Sequence, residues 1–152
     1  MAGTNAYAVK KALFDRLETA SGTADSDLYQ VQVDYAWNGQ AERERIYLGP
    51  VQIEQEFAAL GRAGGRVSRD EWAVVSVFIE VMRPGATVQE TDERAQELGT
   101  VLEELVAANP TLDDVSGVQY GGVAGGELDY ELTDDAVASV LELRLRFRSR
   151  LR

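Results

Sequence analysis

The stretch EWAVVSVFIEVMRPGATVQETDERAQELGTVLEELVAA, residues 71–108, decides the fold. Its opening, residues 71–82, is apolar on both parities, short for a helix and rich in Val and Ile, which predicts a central strand covered on both faces. RPGAT ends that strand. Thr87 and Glu90 then form a T-x-x-E capping box, behind which Ala95, Leu98, Leu102 and Leu105 hold one helical face until Asn109-Pro110 stops the run.

Upstream, Ala6, Val9, Leu13, Leu17 and Ala20 recur at helical spacing behind Thr4 or Asn5 as cap, and SGTADSD breaks the pattern. Tyr29, Val31, Val33, Tyr35 and Trp37 alternate with polar or small residues, which predicts a strand buried on one face, with Asn38-Gly39 starting the return. A second strand runs through Ile46, Tyr47 and Leu48. Gly49-Pro50 interrupts it before Val51, Ile53 and Phe57 turn inward, and the apolar parity slips there, which predicts a bulge. Gly61 to Asp70 has no period and reads as a long loop.

Downstream of the helix, Val115 to Val123 is broken by glycines, and Leu128, Tyr130 and Leu132 share one face of the next run. Asp134-Asp135 marks a turn, and Leu141, Leu143, Leu145 and Phe147 alternate with charged residues in the last strand. The order α-β-β-β-α-β-β predicts an α+β fold, a mostly antiparallel sheet with two helices packed on one face. Residues 1–152 read as a single domain without repeat, linker or low-complexity segment.

A chain of 152 residues can fold on an ordinary apolar core. It has no His and no Cys, so thiol and imidazole nucleophiles, Ser/His/Asp triads and zinc fingers are excluded. No run approaches the roughly 18 apolar residues of a membrane span, and MAGTNAYAVKK lacks the apolar core of a signal peptide. The expectation is a soluble cytoplasmic product without a membrane partner. The net charge of −11 argues against general nucleic-acid binding. Its distribution is uneven, because RLRFRSRLR at residues 144–152 holds five Arg and no acid.

Three constellations bear on function. The acids Asp113-Asp114, Asp134-Asp135, Asp92-Glu93 and Glu103-Glu104 are the only material for a carboxylate metal site or hydrolytic pair. Their positions at turns and on a helix surface read more simply as local hydrogen bonding, so no catalytic, cofactor-binding or metal residue is assigned. The glycine runs GRAGGR and GGVAGG lack a phosphate-loop Lys. The first instead belongs to a long basic loop, with Arg62, Gly64, Gly65, Arg66 and Arg69 as the candidate partner contact. Finally, Arg144, Arg146, Arg148 and Arg150 share one strand face and would repel one another unless acids lie opposite. Glu127, Asp129 and Glu131 on the preceding strand have matching parity, giving a cross-strand ladder within the chain, or alternatively a ladder between subunits.

NAYAVKKALFDRL, VQVDYAWNG, RERIYLG, EWAVVSVFIEVM, VQETDERAQELGTVLEEL and the Arg-rich final strand together resemble the tail terminator proteins of long, non-contractile-tailed bacteriophages, especially those of actinobacterial hosts. The resemblance spans nearly the whole chain and lies in pattern and element order, with no short diagnostic motif. It implies a lambda-type terminator, an α+β subunit in a hexameric ring at the head-proximal end of the tail tube, assembled in the host cytoplasm. The ring stops tube polymerisation and docks the neck or head-tail connector, so the implied partners are other copies, the tube protein and the connector. DNA passes the lumen without specific binding. Another neck or head-completion protein is the nearest alternative, and a carboxylate-dependent metal enzyme a more distant one.

Overall fold

The computed structural model describes residues 3–39, 43–57, 69–132 and 136–151. Arg62, Gly64, Gly65 and Arg66 of the expected loop, the Asp134-Asp135 turn and the side chain of Phe57 lie outside the described residues. The order of elements is α1 (Ala6–Ser21), β1 (Gln32–Asp34), β2 (Glu44–Phe57), β3 (Arg69–Arg83), α2 (Val88–Ala108), β4 (Val118–Leu132) and β5 (Val137–Leu151). The strands form one sheet in the order β1-β2-β3-β5-β4. This is the expected α+β architecture, mostly antiparallel, with both helices on one face.

Each helix is placed by its apolar stripe. Val9, Leu13 and Leu17 of α1 and Ala95, Leu98 and Leu102 of α2 are wholly buried against the sheet. The Ala6 N–H donates to Thr4 Oγ1 at 3.1 Å at the start of α1. At α2 the Glu90 N–H donates to the Thr87 hydroxyl at 3.2 Å, the cap expected from sequence. Among the described residues no helix is long and apolar enough to cross a membrane.

The first strand departs from expectation. Turn hydrogen bonds from Tyr29 N–H to the Ser26 carbonyl and from Val31 N–H to the Leu28 carbonyl break the alternation, and Gln30 adopts a φ of 65°. Leu28 and Val31 go to the core, while Tyr29, Tyr35 and Trp37 stay exposed. What remains as strand is Gln32–Asp34, and it runs parallel to β2, with Val33 opposite Ile46, so Asn38-Gly39 closes no hairpin. The bulge in β2 falls where the parity slip placed it, between Leu48 and Val51.

β3 is central and pairs antiparallel with β2 on one side and β5 on the other. It begins at Arg69, so Arg69 and Asp70 are strand and not loop. Its two faces also differ. Ala73, Val75, Val77, Ile79 and Val81 are fully buried beneath the helices, whereas Trp72, Val74, Ser76 and Phe78 face the other way and are only half-buried. The doubly apolar run therefore has a helix cover on one side only.

β4 continues through its glycines, with register shifts between Val118 and Tyr120 and between Val123 and Gly125, and the inner strand needs the room. A Cβ at Gly121 would lie 2.0 Å from the Phe147 ring, a wholly buried side chain, while one at Gly122 meets nothing within 4 Å. Gly121→Ala is expected to cost about 1–3 kcal/mol by overpacking, with Gly122→Ala close to neutral. Paired thermal melts of the two variants check this, and equal melting temperatures would contradict the close approach.

Candidate functional site

The helix-free face of the sheet collects the charged residues that the last strand presents. On β5, Leu143, Leu145 and Phe147 turn into the core, so Arg144, Arg146, Arg148 and Arg150 must emerge on the opposite face. The β3–β5 register sets Arg148 opposite Trp72, Arg146 opposite Val74 and Arg144 opposite Ser76.

The acids that answer these arginines are not those of the preceding strand. In the β4–β5 register Glu127 stands opposite Glu142, Asp129 opposite Val140 and Glu131 opposite Ala138, at the far end of the strand pair. Opposite Arg148, Arg146 and Arg144 lie Tyr120, Gly122 and Gly125. The within-chain version of the ladder to Glu127, Asp129 and Glu131 is therefore absent, because both strands are long enough to separate the acids from the arginines along their length. The partners come from β3 and β2. Asp70 accepts from Arg148 Nη2 at 2.6 Å and from Arg150 Nε at 3.0 Å, and Glu54 accepts from Arg146 Nη2 at 3.5 Å. Arg144 is exposed and has no ion pair among the described residues.

Two aromatic rings complete the patch. The Arg146 guanidinium sits 3.8 Å from the centroid of Trp72, whose ring meets Tyr120 edge-on at 5.8 Å. The exposed Arg146–Glu54 pair is worth roughly 0–1 kcal/mol, and a cation over an exposed ring about 0.5–1 kcal/mol. Neither decides the fold. Their effect is to hold a row of guanidinium groups flat against the sheet.

Below this row, on the helix side, the β2–β3–β5 register continues through Gln55, Glu71 and Ser149. Glu71 is fully buried and accepts from the Asn5 backbone N–H at 2.8 Å and from Gln55 Nε2 at 2.7 Å. Its carboxylate thus lies at the start of α1, where the helix dipole favours negative charge.

The other candidates take structural places. Asp113 and Asp114 occupy a left-handed turn with Leu112, where Asp113 accepts from Asn109 Nδ2 at 2.8 Å and Asp114 from the Thr111 hydroxyl at 3.2 Å. Asp92 accepts from the Ser139 hydroxyl at 2.5 Å. A charged cleft of about 910 Å³ lies beside α2 and includes Glu44, Arg83 and Arg94. Arg94, seconded by Arg83, holds the Glu44 carboxyl below its ordinary range, the reverse of what a general acid needs. Among the described residues no three His, Cys, Asp or Glu side chains converge to hold a metal ion.

Reading by sequence neighbours missed Asp70, Glu54, Trp72 and Tyr120. The available signal was length, since β3 and β5 are both 15 residues and match end to end.

The hydrogen bonds from Arg150 and Arg148 lower the Asp70 carboxyl below its ordinary value of 3.8. A carboxyl depressed in the folded state stabilises fully above its unfolded pKa and loses that contribution as pH falls through the folded one. Asp70→Asn is therefore expected to melt below the wild type at neutral pH, with the gap closing as the pH falls below the ordinary carboxylate range. Melts across that range test it, and a gap independent of pH would show that shape and not charge is at work.

No family model matches the chain, and no curated protein matches it. Among solved structures it is similar to a chain described as "Virion of native gene transfer agent (GTA) particle", at 16% identity and a TM-score of 0.49, over 99% of this chain and 100% of that one.

Proposed function

We propose that the chain is a structural virion subunit, the tail terminator of a long, non-contractile-tailed phage or phage-like particle. In this reading copies form a ring, a hexamer by the sequence resemblance, at the head-proximal end of the tail tube. The ring stops tube growth and offers the docking surface for the neck or head-tail connector.

The observation that carries the reading is a two-layer domain in which, among the described residues, no helix covers one face of the sheet and most of edge strand β4 is exposed. The bare face holds Trp72, Val74 and Phe78 half-buried, and edge strand β4 exposes Tyr120, Val123, Leu128, Tyr130 and Leu132. Five large apolar side chains on one open edge form a surface of the kind that protein partners cover. The net charge of −11 suits a lumen that lets DNA pass without holding it. The 61–70 stretch, with Arg62, Gly64, Gly65, Arg66 and Arg69, is on charge alone the proposed contact with tube or neck.

Two outcomes are expected. The purified protein, alone or with tail tubes, forms a closed ring by native mass measurement and electron microscopy, and deletion from the particle's genome gives overlong tails. A protein that stays monomeric with tubes present would sink the reading, and headless tails of normal length would replace it with a connector role. Replacing Arg62 and Arg66 with Ser should leave soluble, folded protein while weakening attachment to tube or neck in a binding assay. Unchanged attachment would remove this stretch from the contact.

A further inference from the structure

Two surfaces on opposite layers of the subunit carry complementary chemistry. At the Arg144 to Arg150 end of the bare sheet face, four arginines of β5 meet two described carboxylates, Glu54 and Asp70, so positive charge is in excess there, while Glu80, Glu127, Asp129, Glu131 and Glu142 hold the other end. The flat middle of the basic end is the Trp72–Tyr120 pair, and Arg144 beside it lies over Gly125, unpaired among the described residues. On the helix layer, Glu103 and Glu104 stand exposed on α2, while Glu90, Glu93 and Glu97 border the charged cleft that also holds Arg83 and Arg94. Between α2 and the β4–β5 pair runs a groove of about 310 Å³ whose lining includes Gln96, Glu103, Leu128 and Leu141. Leu128 is 44% exposed there, and Leu132, on the same side of β4, is 64% exposed.

We propose that the arginine and aromatic face of one copy seats on the glutamate and leucine groove of the next. The inference rests on the ring reading above. A ring contact is heterologous, joining two different patches of one subunit, and patches on opposite layers let each copy use one toward each neighbour. Arg144 then faces Glu103 of the groove, and the Trp72 and Tyr120 rings meet the exposed leucines. The rival arrangement stays on one face. There a two-fold axis would set the arginines of each copy over Glu127, Asp129 and Glu142 of the other, which closes a dimer and builds no ring.

The chain contains no Cys, so introduced pairs report contacts directly. Arg144 and Glu103 are both exposed, and neither belongs to the core. In assembled protein, oxidation of Arg144→Cys combined with Glu103→Cys is expected to give a ladder of covalent oligomers up to the full ring, while neither single variant extends beyond a dimer. Arg144→Glu and Glu103→Arg should each weaken assembly by about tenfold or more, and the two together should restore it. An assembled ring that yields no ladder and no rescue overturns this contact and leaves the ring reading standing. Cross-linked dimers from Arg144→Cys with Glu127→Cys overturn it in favour of the two-fold. A wild-type chain that remains monomeric overturns both.

Discussion

The antiparallel pairing of β3 with β5 along 15 residues is the constraint on which the rest of the structure depends. It is non-local, since α2 and β4 intervene in the chain, so it becomes favourable only after the entropy of closing that loop has been met. Once made, it fixes parity everywhere. Val75 opposite Leu145 and Ala73 opposite Phe147 define the side that the helices must cover, and the same register obliges Trp72 and Arg148 to emerge together on the other. The aromatic and basic patch is thus a by-product of the core's own alignment.

Much of this was legible from residues, and the parts that were not share a cause. The α1 stripe, the Thr87 cap, the Asn109 stop and the bulge at Gly49-Pro50 are local signals, resolved within a turn or two of chain. The misread β1 also looked local, but its alternation competes with turn hydrogen bonds at Leu28 to Val31, and burial of Leu28 outweighs the pattern. The within-chain charge ladder failed for the opposite reason. Matching parity says which face a side chain takes, and only register along the strands says what stands opposite it. Glu127 has the right parity for Arg144 and the wrong address.

The bare sheet face and the buried row beneath it show how one strand pair serves two environments. Asp70 and Glu71 are adjacent in sequence, yet one is held by guanidinium groups on the open side and the other by amide N–H groups under a helix start. A one-residue slip of β3 would exchange them, leaving a carboxylate without its donors on each side. Polar residues at this end of the sheet therefore help to specify the register, which the run of valines in the middle cannot do alone.

The glycines of β4 have a bearing on how its edge is met from outside. Gly121, Gly122, Gly125 and Gly126 strip most side chains from the middle of the outermost strand, so that around Val123 its peptide groups lie open to whatever adjoins it. A surface made of peptide groups is nearly blind to the identity of its neighbour's residues and responds chiefly to strand direction and spacing.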